Sequence, residues 1–192
     1  TEVAKYFIEK GIDVNITNGR NALDYLVDYE NSPSLTKLLV ENKIEITNYP
    51  IRKIMSWNHI NPNAIKMIEI LIDNGVDMNA EIENGENLLM RCCRDLNGNR
   101  DKLAKMLIGK GCDLNLRESR EPTDKESALH IILKNYSQMY EQVEDVVNAM
   151  IEKNVDLNIQ NIYGERPTFY ALREYDASHN SREFELLKTM LN

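Results

Sequence analysis

The chain has 192 residues, 42% hydrophobic and 28% charged, enough for a buried core in one large or two small domains. Its formal net charge of -8 opposes a nucleic-acid partner, because gripping a polyphosphate requires a domain-wide basic excess. Three cysteines, two of them adjacent as Cys92 and Cys93, supply neither a disulfide framework nor zinc-ligand spacing, and no apolar run approaches the roughly 20 residues of a membrane span.

Taken in chain order, residues 1–10 show helical spacing and charges where a signal peptide would have an apolar core, so a cytoplasmic location is expected. One pattern then recurs. Val3 to Asn15, ending Gly11-Ile12-Asp13-Val14-Asn15, returns as Met67 to Asn79, as Leu103 to Asn115 and as Val146 to Asn158. A weaker copy is Leu35 to Thr47, with Lys43 at the glycine position and Glu45 at the aspartate position. The marker position falls at 11, 43, 75, 111 and 154, which by subtraction gives steps of 32, 32, 36 and 43 residues. Leu186 to Asn192 matches the start of the same pattern, so both chain ends are expected to cut through a repeat.

Each copy obeys the same physics. Apolar residues at i, i+3 and i+4, such as Ile68, Leu71 and Ile72, put one stripe on a helix that needs a neighbour. Glycine past the helix end takes a left-handed conformation, and the Asp and Asn after it form a turn. A second segment comes after that turn, opening with Asn21 to Asp24, Asn87 to Met90, Ser127 to His130 or Arg166 to Phe169. Gly19, Gly85 and Gly164 lie two residues before three of these, where a hairpin turn needs positive φ.

The Gly-x-Asp-x-Asn ends, the step near 33 residues and the Thr-Pro-Leu-His-like Ser127 to His130 make the chain resemble an ankyrin-repeat protein over essentially its whole length. The resemblance implies an all-α solenoid of stacked antiparallel helix pairs with hairpin-like loops, in one domain spanning residues 1–192. Its expected parts are a half repeat at 1–15, repeats at about 16–47, 48–79, 80–115 and 116–158, and a partial repeat at 159–192. That makes six second helices and five first helices. The second unit, around Ile51 to Asn58, lacks both the glycine turn and the tetrapeptide. Arg117 to Lys125 is expected to lengthen a hairpin, and Asn135 to Gln142 and Asp176 to Ser181 to lengthen turns between paired helices.

No phosphate loop, nucleophile elbow or metal-binding cluster is present in the sequence, so neither an enzyme nor a cofactor or metal site is expected. The resemblance implies that His130 ties one hairpin turn to its neighbour, and Cys92, Cys93 and Cys112 stand where the pattern asks for small packed residues. The expected function is a protein-protein interaction module, an adaptor or inhibitor acting as a monomer. The alternative is the ankyrin domain of a viral or bacterial effector working in the host cytosol.

In the family, exposed positions of the first helices form the floor of a concave groove and the hairpin tips its rim. Carried over by position, the floor comprises Tyr25, Asp28, Tyr29, Arg91, Arg94, Lys134, Tyr170 and Arg173, an aromatic and basic stripe suited to an acidic or amphipathic protein segment. The rim includes Glu81, Glu83 and Glu86. Reversing Arg91 and Arg94 to Glu is expected to weaken partner capture and leave the melting temperature unchanged. Trp57 fits either the core or an exposed anchor.

Overall fold

A computed structural model describes residues 2–15, 19–121, 123–135 and 140–178. In order along the chain come α1 (Glu2–Glu9), α2 (Ala22–Tyr29), α3 (Pro33–Glu41), α4 (Tyr49–Met55), α5 (Pro62–Asp73), the hairpin β1 (Glu81–Glu83) and β2 (Glu86–Asn87), α6 (Leu88–Arg94), α7 (Arg100–Gly109), α8 (Ala128–Lys134), α9 (Tyr140–Glu152) and α10 (Pro167–Ser178). The first helices are α2, α4, α6, α8 and α10. Second helices among the described residues are α1, α3, α5, α7 and α9, and the sixth expected one, Leu186 to Asn192, lies outside them.

The helices start where the side chains cap them. Asn21 accepts from the Leu23 and Asp24 amides at 3.0 and 3.1 Å, and the Asp24 carboxylate returns to the Asn21 amide at 3.2 Å, a complete capping box. Asn61 and Asn87 cap α5 and α6 by a single bond each, accepting from the Ala64 and Met90 amides at 2.9 Å. The degenerate α4 has no side-chain cap from Asn48, but Pro50 in its first turn fixes a helical φ. Thr47 positions this helix instead, accepting from the Tyr49 amide at 3.2 Å and donating to Asp24 at 2.7 Å.

The second helices end alike at every marker. The residue after the marker donates its amide to a carbonyl five residues back: Ile12 to Phe7, Ile44 to Leu39, Val76 to Leu71, Cys112 to Leu107 and Val155 to Met150, all at 3.1 to 3.2 Å. This is the Schellman closure. Gly11, Gly75 and Gly111 adopt the left-handed φ it requires, and so do Lys43 (φ 59°) and Asn154 (φ 58°) in the two copies without glycine.

The asparagines beyond three of the markers link repeat to repeat. Asn15 Oδ1 accepts from the Glu45 amide at 2.7 Å, Asn79 Oδ1 from Asp113 at 2.9 Å and Asn115 Oδ1 from Asp156 at 2.8 Å. Within three of the turns the aspartate accepts from the asparagine amide, Asp13 from Asn15 and Asp113 from Asn115 at 2.9 Å and Asp156 from Asn158 at 2.8 Å.

Two compact units result, Thr1–Asp77 and Met78–Asn192. In the first, α2 packs on α3 and α4, and α3 on α5, burying Leu23, Val27, Ile54, Met67, Ile68 and Leu71. In the second, α6, α8 and α10 lie side by side while α7 and α9 pack behind α6 and α8, burying Leu88, Leu103, Leu129, Ile132 and Val146. Trp57 is intermediate in exposure, just past α4, with its amide on the Ile54 carbonyl at 3.1 Å.

Some expected boundaries move. Asp176 to Ser178 extend α10 and Tyr140 to Gln142 belong to α9, so the helices consume residues assigned to turns; 136–139 and 179–181 lie outside the described set. Arg117 to Lys125 does lengthen a hairpin. Arg117 bridges Ser127, and the Ser119 amide donates to the Gly85 carbonyl at 2.9 Å, stacking the long hairpin on the previous one.

Candidate functional site

The floor residues are engaged in an internal ion-pair system set by one spacing. The residue just before the first helix's N-cap pairs with a residue of opposite charge eight positions later: Arg20 with Asp28, Glu86 with Arg94, Glu126 with Lys134. Arg173 stands eight residues after Glu165 and helps hold its carboxyl below the ordinary range, after the larger effects of hydrogen bonds from Asn161 and Tyr170. At α6 and α8 the acid precedes the helix and the base closes it, so each pair also complements the helix dipole. At α2 the signs are reversed, and another device supports the pair: the Arg20 guanidinium is stacked between Tyr25 (4.8 Å) and Tyr49 (4.2 Å).

In the first unit Asp28 is saturated. It binds Arg20 at 2.5 Å, accepts from the Tyr49 hydroxyl at 3.1 Å and faces Lys53 at 3.6 Å. The Arg20 bond chiefly holds its carboxyl below the usual range. Tyr25 is partly exposed as the outer plate on Arg20, and Tyr29 is 84% exposed.

In the second unit the pairs join into one network. Arg94 reaches Glu86 and, at 3.0 Å, Glu118; Arg91 reaches Glu86 at 3.2 Å and Glu83 at 3.8 Å. Glu118 and Glu126 are linked through the lengthened hairpin, the Glu118 amide donating to the Glu126 carbonyl at 3.0 Å and the Glu126 amide to Glu118 Oε2 at 3.2 Å. Glu126 then binds Lys134 at 2.9 Å and lies 3.2 Å from the Tyr170 hydroxyl. That hydroxyl donates to the nearer Glu165 at 2.8 Å and accepts from Asn161 at 3.1 Å. Burial, and then the two carboxylates, push the phenol well above its ordinary pKa. Burial works against the charges of Arg94 and Lys134, but their carboxylate partners outweigh it and hold both raised.

Two positional expectations are corrected. Glu86 is 3% exposed, drawn under the hairpin by two arginines, and is not a tip residue. Tyr170 is also 3% exposed, turned inward by its bonds to Glu165 and Asn161. Arg91, Arg94 and Lys134 keep 28%, 43% and 41% of their side chains exposed, and Arg173, Glu81 and Glu83 are exposed. Glu81 serves its own hairpin and the next, accepting from the Gly85 amide at 2.9 Å and from the Ser119 hydroxyl of the lengthened hairpin at 2.6 Å. Glu118, Glu126 and Glu165 are not found by position in the repeat, although the recurring eight-residue spacing of opposite charges points to two of them.

No family model and no curated protein matches the chain. Among solved structures it is similar to the human ASB11 ankyrin repeat domain, at 20% identity and a TM-score of 0.62, over 97% of this chain and 76% of that one. The chain has the ankyrin-repeat fold.

The fold accounts for the remaining candidates. His130 is wholly buried, and its Nε2 donates to the Glu165 main-chain oxygen at 3.0 Å, while Nδ1 accepts from the Ser127 amide at 3.2 Å. A carbonyl can only accept and an amide only donate, so the tautomer is determined. This ties one ankyrin hairpin turn to the next. Cys92, Cys93 and Cys112 are buried, and desolvation raises their thiol pKa values, Cys92 to about 12 and Cys112 to about 11. Among the described residues no His, Cys, Asp and Glu cluster could hold a metal ion, and no helix is long and apolar enough to cross a membrane. The ankyrin fold is that of protein-protein interaction modules in general.

Proposed function

We propose that the chain is an adaptor or inhibitor module that grips an amphipathic protein segment on the floor formed by α6, α8 and α10, with Glu81 and Glu83 on its rim. One observation carries this reading: Arg91, Arg94 and Lys134 are held by buried carboxylates yet keep a quarter to nearly half of each side chain in solvent. Anchors already fixed in place lose little entropy on binding. The internal carboxylates also reduce the net positive field, which favours an amphipathic segment over a strongly acidic one.

The floor is tested by placing a photo-crosslinking residue at Arg173 or Glu83, and at Lys102 on α7 as control, and exposing each protein to lysate of the source cells. Capture of one common partner from positions 173 and 83 but not 102 supports the floor. Capture only from 102, or equally from all three, overturns it.

A further inference from the structure

Asparagine is followed by glycine at Asn18, Asn74, Asn84 and Asn97, the first of which lies outside the described residues. At such a step the following main-chain nitrogen can attack the side-chain amide with least hindrance, because glycine has no Cβ and its backbone turns freely. The fold treats the other three steps differently. At Asn74 both reacting groups are tied, the side-chain amide donating to the Ile70 carbonyl at 2.8 Å and the Gly75 amide to the Ile72 carbonyl at 3.1 Å. At Asn84 they are tied again: Oδ1 accepts from Arg120 Nη1 at 3.2 Å, and the Gly85 amide donates to Glu81 at 2.9 Å. The Arg120 main chain, packed against Gly85, also leaves that peptide no room to swing. Asn97, between α6 and α7, is exposed. Its main chain is fixed, the amide donating to Asp95 at 3.0 Å and the oxygen accepting from the Arg100 amide at 3.3 Å and guanidinium at 3.2 Å. Among the described residues no hydrogen bond engages its side-chain amide or the amide of Gly98, which sits at φ 63°.

We propose that Asn97 is a site of spontaneous covalent modification, where the folded chain loses ammonia and passes through a cyclic imide to aspartate and isoaspartate, while Asn74 and Asn84 are sheltered. The Gly98 nitrogen bonds to Asn97 Cγ and gives its proton to hydroxide. The Cγ–Nδ2 bond breaks, and the nitrogen leaves as ammonia with a proton from water. Water then opens the five-membered imide. Cleavage of the new N–Cγ bond restores the main chain with aspartate at position 97; cleavage at the original main-chain carbonyl leaves isoaspartate, in which the chain runs through Cγ. Neither outcome changes any oxidation state. The aspartate product keeps the turn and places a negative charge ahead of α7, whose N-cap Asn99 makes no side-chain cap bond, so the helix N-terminus gains a favourable neighbour. The isoaspartate product adds a methylene to the main chain and turns the oxygen that holds Arg100 into a free carboxylate, so the turn must be rebuilt around a residue that is only 9% exposed. This reaction is independent of the floor on α6, α8 and α10.

The test ages the whole folded chain in mildly alkaline buffer and follows the amide-to-acid mass gain at each asparagine by peptide mapping. Conversion at Asn97 is expected to outpace that at Asn74 and Asn84 by about tenfold or more, since the tied steps react only after local opening. In concentrated urea the three rates should converge. Isoaspartate is read separately with an isoaspartate-specific carboxyl methyltransferase and a labelled methyl donor. Labelling of the aged chain should largely vanish in Asn97→Gln, where the longer side chain closes a ring far less readily, and the melting temperature of that variant before ageing checks that the fold is kept. No conversion at Asn97 in the folded chain, or conversion there no faster than at Asn84, overturns the proposal. Undiminished labelling of the aged Asn97→Gln variant overturns it equally.

Discussion

The His130 imidazole holds the Glu165 main-chain oxygen at 3.0 Å, across 35 residues of sequence and from one repeat to the next. Its other nitrogen is occupied by Ser127, so a second proton would break an existing bond inside the core. Burial accordingly pulls the imidazole pKa below its ordinary 6.5. An unfolded His130 binds its proton at higher pH than the folded one. Stability from this group is therefore complete above about pH 6.5 and is lost as pH falls from there through the lower folded value. Urea midpoints measured from pH 7 to pH 5 should decline, and His130→Gln, which can still donate to the carbonyl, should flatten that slope. An unchanged slope would show that other groups set it.

Arg94 is a structural clamp as well as a candidate anchor. Removing it leaves Glu86 and Glu118, 3% and 7% exposed, without their main counter-charge. Reversal of Arg91 and Arg94 to Glu therefore cannot leave the melting temperature unchanged, contrary to the expectation from the sequence. Because Arg94 itself is 43% exposed, the loss for Arg94→Ala should be about 1–3 kcal/mol, below the full value for a buried pair. Chemical denaturation at neutral pH measures it, and Tyr29→Ala, at an 84% exposed position, should change stability by less than about 0.5 kcal/mol.

Gly85 separates two causes of glycine dependence. A Cβ there would lie 2.6 Å from the Arg120 amide nitrogen and 2.7 Å from its Cβ, at φ +82°. At Gly164, φ is +74° and nothing lies within 4 Å. Gly164→Ala should cost about 1 kcal/mol from backbone strain alone. Gly85→Ala should cost about 1–3 kcal/mol more, because the stacked hairpins must part. Equal thermal shifts in the two variants would mean that this stacking contributes nothing.

Asn115 can be tested at a single amide. Asn115→Ala should raise hydrogen exchange at the Asp156 amide, which donates to it at 2.8 Å, and lower stability by about 1 kcal/mol. Asn115→Asp keeps an acceptor oxygen at that place and should retain much of the protection. Unaltered exchange in the Ala variant would mean that the Asn115 side chain does not protect that amide.

The fold was legible because its signals are local. A helix stripe, a left-handed closing residue and an Asp-x-Asn turn each lie within a few residues, and the marker held even at Lys43 and Asn154, where glycine is absent. The exposure of the floor was only partly legible. Position in the repeat places Arg91, Arg94 and Lys134 on the surface, but burial of Glu86 depends on Arg94 eight residues away, and Arg94 also meets Glu118 across a lengthened hairpin. Tyr170 illustrates the same limit. Its hydroxyl turns inward because Glu165, Glu126 and Asn161 converge there, and one of those lies 44 residues earlier. Helix lengths at the insertions were hidden for another reason, since residues such as Asp176 and Ala177 carry no signal that separates the last turn of a helix from the start of a loop.

The asparagine links act as a ruler laid along the turns of the second unit. From Asn79 to Asn115 the chain spends 36 residues and from Asn115 to Asn158 it spends 43, yet the bonds leaving Asn79 and Asn115 measure 2.9 and 2.8 Å. Contour length and repeat spacing are thus uncoupled. Extra residues are looped out between fixed rungs without altering the register of the next repeat, so the long hairpin at 117–127 is a natural graft point: foreign sequence placed at its tip would inherit a set position while the stack beneath keeps its own.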